Sequence, residues 1–529
     1  MIVIHIFLQT LLAIALCSNA FKTTNGKQFL SNNNLKIDHS SKYKNYHHHR
    51  QIKTQNVMTL RGGFVPTDFS IDLVKNHLVS NPSNLFNGLL VLLLSGTAII
   101  KSIEKFGSTA TTTKDDKPAE VKDLQTRFLT VFWLLRMADW LQGPYFYEVY
   151  SSKIINGLQV TPDLVSKLFL VGFASTGILG PWVGSFVDNF GRKAGTLAFV
   201  LLYSLGALST ASNNLWVLLA GRFASGVGTS LLHSAPEAWL VGDYMKKGFS
   251  GSWLGQTFGW AYAGDSLVAI TAGQLAAATA ATSLGATGPF LLSLEFLGFG
   301  GLLALLRWKE NTAPKNAATD GKKVSVSDAI SLILADKKIL LVGAVQALFE
   351  GAMYIFVLQW PPAIKSALLG SSWLGSGAVP YGTIFSCFMA SCLLGSSIFS
   401  KIQSRMKSQI ELPTSLMLTA AAAAMSTATF FGLNNLAILA ASFFVFEACV
   451  GMYFPSIGTL RSKYIPESHR SVIMNLFGVP LNLIVVSVFL SIKSLGVSGA
   501  LTVASGALAT AAACMTALSL SSPSAPPAE

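Results

Sequence analysis

The chain has 529 residues, of which 51% are hydrophobic and only 12% charged, with a formal net charge of +13. Soluble globular chains carry about a quarter charged residues. The shortage here, together with repeated apolar runs of about twenty residues, excludes a soluble globular protein and describes a polytopic membrane protein. The runs are continuous rather than alternating, so they read as helices and not as a barrel. The positive charge follows from membrane topology and a basic leader, not from a nucleic-acid partner. Cys17 lies in the leader, and Cys387, Cys392, Cys449 and Cys514 lie in apolar segments. Their spacing suits neither a metal site nor a disulfide framework.

In chain order, residues 1–20 read as a signal peptide. Met1 to Cys17 is apolar but short for a span, and Ser18-Asn19-Ala20 offers small residues for cleavage, although no Lys or Arg precedes it. Residues 21–80 form a basic leader: Lys22, Lys27, Lys36, Lys42, Lys44, Arg50 and Lys53 stand against Asp38, the one acid before Asp68. A signal followed by an acid-poor stretch, with Phe21 just after Ala20, resembles the two-part presequence of proteins sent to secondary plastids. The competing reading is secretory-pathway insertion into the plasma membrane or an endomembrane. His47-His48-His49 reads as polar filler rather than a metal site.

A first span is expected over 84–101 and a polar linker over 102–127. Six spans follow in an N-terminal half, 128–306, at roughly 128–149, 164–187, 194–212, 214–240, 253–281 and 286–306. A basic connector covers 307–337. A C-terminal half, 338–520, holds six more at roughly 338–360, 379–400, 412–432, 435–457, 470–492 and 495–520, and a disordered tail is expected over 521–529. Six plus six is the count of two repeated halves. One set of connectors holds Arg192, Lys193, Lys246, Lys247, Arg307, Lys309, Lys401, Arg405, Arg461, Lys463 and Arg470, among others. The alternate set holds Lys153, Lys167, Lys365 and Lys493. The first set therefore belongs on the cytoplasmic side or its equivalent, and the extra helix puts the N-terminus on the opposite face.

Between the second and third core helices stands Gly184-Ser-Phe-Val-Asp188-Asn-Phe-Gly191-Arg192-Lys193. Gly184 allows close helix approach, Asp188 suits a cation or a helix N-terminus, Gly191 permits a tight turn, and Arg192 and Lys193 keep that turn on the positive side. The spacing resembles the gating signature of major facilitator superfamily transporters. That resemblance implies an all-α fold of two six-helix halves, here with one extra N-terminal helix.

Ionisable groups at membrane depth are costly, and so are functional candidates. The first core helix carries Arg136, Asp139, Gln142 and Tyr145; Arg136 and Asp139 are one turn apart and can pair, and Gly143-Pro144 should kink the helix. The fourth carries Arg222, His233 and Glu237, the last expected to reach Arg192 as a gate ion pair. Gln346 and Glu350 lie on the seventh, Glu447 on the tenth and Asn475 on the eleventh. Asp265 and Glu295 could form a structural pair, and His233 reads as a packing residue.

Asp139-Trp-Leu-Gln-Gly-Pro-Tyr145, Pro236-Glu-Ala-Trp239, Gln346-Ala-Leu-Phe-Glu350, Tyr453-Phe-Pro-Ser456 and Ile465-Pro-Glu467 resemble the molybdate-anion transporter family. The resemblance spans roughly residues 85–515. It implies uptake of molybdate or a similar tetrahedral oxyanion, by a monomer in a lipid bilayer, with no cofactor, metal or nucleic acid and no enzymatic activity. A dianion wants cations and neutral donors in a dry pocket. Arg136 and Arg222 could supply charge, and Gln142, Tyr145, Gln346 and Asn475 could donate. Protonation of Asp139 or Glu350 would give proton-coupled symport. Two positions depart from the family pattern: Gly478 stands before Val479-Pro480 where that pattern is basic, and Arg136 stands where it is apolar. A major facilitator carrier of a sugar or organic ion therefore stays open as an alternative. A non-transporting scaffold is a weaker one, because the gating signature is intact.

Overall fold

The computed structural model describes residues 78–107, 117–312, 326–375, 377–405, 410–466 and 470–521. The expected signal peptide, nearly all of the leader and the C-terminal tail lie outside the described residues. The helices are α1 (Pro82–Gly107), α2 (Ala119–Gln142), α3 (Phe146–Ser151), α4 (Pro162–Phe190), α5 (Arg192–Ser209), α6 (Leu215–Lys246), α7 (Gly251–Ala280) and α8 (Gly288–Arg307). The chain continues through α9 (Val326–Ala335), α10 (Lys337–Leu369), α11 (Tyr381–Arg405), α12 (Glu411–Thr427), α13 (Leu436–Tyr464), α14 (Arg470–Leu490) and α15 (Ile492–Ser521). A small antiparallel hairpin, Ile154–Ile155 with Leu158–Gln159, turns through Asn156 and Gly157, both at positive φ.

Local sequence starts these helices where they start. Thr161 accepts from the Leu164 amide with Pro162 at the first turn of α4, and Asn214 accepts from the Trp216 amide at α6. Asp336 and Asn435 cap α10 and α13 in the same way. The first core helix breaks at the expected place: α2 tightens into a 3₁₀ turn at Gly143–Tyr145 and resumes as α3. Among the described residues, nine helices are long and apolar enough to cross a membrane. The α2 helix falls outside that group because Arg127, Arg136 and Asp139 lie within it.

Two boundaries differ from the sequence expectation. Helix α2 already runs at Ala119, inside the stretch read as polar linker, because Val121, Leu124 and Gln125 are buried on one face. Helix α9 forms inside the basic connector. Its Ala329, Leu332 and Ile333 fall at i, i+3 and i+4 and pack with Ile339, Ile465, Ile473 and Phe477.

Helices α2 and α4–α8 form one half, and α10–α15 the other. Helix α1 packs on α11, and the Gly375 amide donates to Val79 O (3.0 Å), so the N-terminal end of α1 lies on the face opposite the basic loops. The halves close on that same face. Gly273 of α7 and Gly382 of α11 leave no room for a Cβ at either position, and Ser386 Oγ donates to Ile270 O (2.7 Å). Phe169 meets Phe489 at 5.0 Å between ring centroids, and Phe173 meets Tyr354 at the same distance. Toward the basic loops the halves part. Gly259 lies two heptads before Gly273 on the same face of α7, yet nothing stands within 4 Å of a Cβ there. Gly478, one turn from Asn482 on α14, is likewise open, although Asn482 Nδ2 stands 3.9 Å from a Cβ on Gly177 of α4.

Candidate functional site

The first half builds a charged network around α2. Arg136 Nε donates to Asp265 Oδ1 (3.0 Å), Nη2 to Asp265 Oδ2 (2.9 Å) and Nη1 to Asp139 Oδ2 (3.3 Å). Trp140 Nε1 donates to Asp265 Oδ1 (2.8 Å), and the Tyr203 hydroxyl donates to Asp139 Oδ1 (2.5 Å). The Arg136, Asp139 and Asp265 side chains are 11%, 20% and 12% exposed. One guanidinium thus meets two carboxylates in a largely dry setting, and its charge is consumed by protein. The Arg136–Asp139 pair appears as the sequence suggested. Asp265 joins Arg136 and not Glu295, which is exposed and makes no bond among the described residues.

Arg222 stands differently. Its guanidinium lies 4.4 Å from the centre of the Phe146 ring and beside Tyr150, and a Cβ on Gly172 would strike it. Among the described residues it meets no carboxylate, and its Nε is buried without a hydrogen bond. Phe146 supplies a cation–π contact in place of a counter-ion.

In the second half, α10 and α13 bring together Gln346, Glu350 and Tyr453, with one residue that sequence reading had put in a cytoplasmic connector. Arg461 Nε donates to Gln346 Oε1 (3.1 Å) and Nη2 to Glu350 Oε1 (3.1 Å), and the Tyr453 hydroxyl donates to the same Glu350 oxygen (3.0 Å). Arg461 was missed because it lies near the basic end of α13 and reaches back along the helix. It stands eight residues, a little over two turns, from Tyr453, so the two meet Glu350 only because the long arginine side chain reaches back.

Other expected residues make contacts of their own. Gln142 is buried and donates to Ser293 Oγ (3.0 Å), tying α2 to α8. Glu447 is 6% exposed and meets no bonding partner among the described residues; it lies beside Cys392 where α11 and α13 cross. Tyr145 stacks edge-on against Tyr381, 5.7 Å between ring centroids, across the closed face. There Lys365 Nζ donates to both Glu148 oxygens at 3.2 Å, and the Tyr381 hydroxyl donates to Oε2 at 3.2 Å. Glu148 and Lys365 each fall one turn after a proline, Pro144 and Pro361, in the first helix of its half. That repeat is the sequence signal by which they could have been found.

The gating stretch forms the turn between α4 and α5. Gly191 has φ +121°, a conformation that favours glycine. The carboxylate that caps α5 is Glu310: Lys193 N and Ala194 N donate to its two oxygens, each at 2.9 Å. Arg192 N donates to Asn311 O (3.1 Å), and Lys193 Nζ to Leu305 O (2.8 Å). Trp239 stacks on Trp308 at 3.9 Å, and its Nε1 donates to Lys309 O (2.8 Å). The segment after α8 therefore straps α5 to α6. The expected Glu237–Arg192 ion pair does not form between these two described residues: Glu237 accepts from the Tyr262 hydroxyl (2.6 Å) of α7 instead. The surroundings of Gly184 and the side chains of Asp188 and Asn475 lie outside what is described.

Known proteins resemble this chain. A family described as sugar transporters with twelve transmembrane helices matches residues 89–452. The molybdate-anion transporter of Xenopus tropicalis is 30% identical over 369 residues, covering 69% of this chain and 77% of the relative. That of Danio rerio is 30% identical over 407 residues, covering 71% and 80%. Among solved structures, the nucleoside transporter NupG superposes with a TM-score of 0.56 at 14% identity, covering 75% of this chain and 99% of that one. A peptide transporter POT in complex with sulfate gives 0.58 at 14%, covering 75% and 93%. At such identities the solved structures speak for the fold alone. The sequence relatives go further, and the chain belongs to the molybdate-anion transporter family of the major facilitator superfamily.

Proposed function

We propose that this protein carries molybdate or a related tetrahedral oxyanion across its membrane by alternating access, with proton coupling. The observation that carries the reading is Arg222, an interior cation with no carboxylate partner among the described residues. An unpaired charge at membrane depth costs several kcal/mol. An anion arriving about 4 Å away recovers about 4 kcal/mol at an effective dielectric of about 20, roughly three decades of affinity. Closed and parted faces on opposite sides of the halves are what one end-state of alternating access requires. The names of the sequence relatives support the oxyanion. The family description favours a sugar as the rival solute.

The test is uptake of labelled molybdate by the full-length protein in liposomes, with and without an imposed proton gradient. Gradient-driven uptake that tungstate blocks, a sugar leaves alone and Arg222→Gln abolishes is the expected result. Uptake that a sugar blocks, from folded protein, would replace the oxyanion with the rival solute.

A further inference from the structure

We propose that Arg461 is a cation on the oxyanion's path, and that a proton on Glu350 releases it to the anion. This rests on the oxyanion reading. A tetrahedral dianion carries two negative charges, and Arg222 offers one positive charge. Arg136 is unavailable, with three bonds to two carboxylates. Arg461 is held more loosely. One of its bonds goes to a single carboxylate oxygen and another to the neutral Gln346, and Nη1 meets no partner among the described residues. The Arg461 and Glu350 side chains are 24% and 19% exposed, so the pair is within reach of solvent.

While Glu350 is charged, its pair with Arg461 is neutral, and an entering anion meets a carboxylate. A proton taken from solution onto Glu350 removes that charge. Gln346 still holds Arg461 through Nε, so the guanidinium stays in place with its Nη groups free to fork onto the oxyanion. Proton and dianion are then bound together, and loss of the anion returns Arg461 to Glu350 as the proton leaves. The charged or titratable groups facing Glu350 among the described residues are Arg461 and Tyr453 from α13 and Tyr354 from its own helix. Among the described residues, helices α14 and α15, also packed on α10, place none against it.

The test is thermal stabilisation of the full-length protein by molybdate in acidic and in neutral buffer, beside exchange and accumulation in liposomes. The wild type should bind more tightly in acid. Glu350→Gln should bind equally in both buffers, retain exchange of labelled molybdate and lose gradient-driven accumulation. Arg461→Gln should bind about tenfold or more weakly. If Arg461→Gln does not fold, the flat pH profile of Glu350→Gln carries the test, because glutamine keeps the side chain's shape and an acceptor. No stabilisation of the wild type would overturn the oxyanion reading itself. Stabilisation that keeps its pH dependence in Glu350→Gln, or that Arg461→Gln leaves intact, would overturn this proposal alone.

Discussion

Replacing Gly191 with alanine tests whether Glu310 holds the turn between α4 and α5. Gly191 has φ +121° and ψ 147°. Holding alanine in such a region costs about 1–3 kcal/mol. The added Cβ also strikes the Glu310 carboxylate and drives it from the Lys193 and Ala194 amides. A hydrogen bond to a charged group contributes about 1.5–3 kcal/mol. These bonds are exposed, so the worth of one is the fair sum for both. The substitution should therefore weaken the strap on the basic face by about 2.5–6 kcal/mol. Thermal melts of the full-length protein and initial uptake rates in liposomes would read the loss, as a lower melting temperature and slower uptake. Glu310→Gln, which removes the charge without straining the backbone, should lose less than half as much. A Gly191→Ala protein that melts and transports like the wild type would refute the reasoning. Equal damage from Glu310→Gln would remove the backbone strain from it.

Three further perturbations bear on the network. Glu148→Gln should loosen the closed face by about 0.5–1 kcal/mol, because the Glu148 and Lys365 side chains are 23% and 43% exposed. It would appear as faster labelling of a thiol at Phe385→Cys, reversed when Glu148→Lys is combined with Lys365→Glu; a swap that restores nothing would dismiss the pair as a latch. Arg136→Leu strands Asp139 and Asp265 without a cation and should cost about 3–5 kcal/mol. Poor folding rescued by adding Asp139→Asn and Asp265→Asn is expected, whereas a stable single variant with normal uptake would show the network to be dispensable. Glu447→Gln should leave gradient-driven uptake unchanged, since Glu447 has no ion pair to lose among the described residues; lost accumulation would return it to the proton pathway.

The helices were legible because a bilayer demands long apolar runs, and the two faces because basic residues gather in alternate connectors. Contacts within one helix were legible too: Arg136 with Asp139, and the break at Gly143-Pro144. Partners far apart in sequence were not. Glu310 looks like any acid in a connector until α8 carries it to the N-terminus of α5. Asp265 claims Arg136 only because α7 packs on α2, while Arg222, the other arginine singled out, meets no carboxylate among the described residues. Gln142 shows a further limit of the sequence. Polarity in a span was read as a lining group, and the structure shows a helix-to-helix hydrogen bond from it to Ser293 that no spacing in the sequence announced.

The position of α1 bears on how the protein is made. It is synthesised ahead of every other described helix, yet the surface it covers, on α11, does not exist until the chain has been extended past Tyr381. Until then Phe86 and Leu90, both buried in the finished protein, face lipid. The first of the described helices to be made is thus among the last to find its place. Substitutions on that face of α1 should therefore show up as failed assembly of the second half rather than of the first.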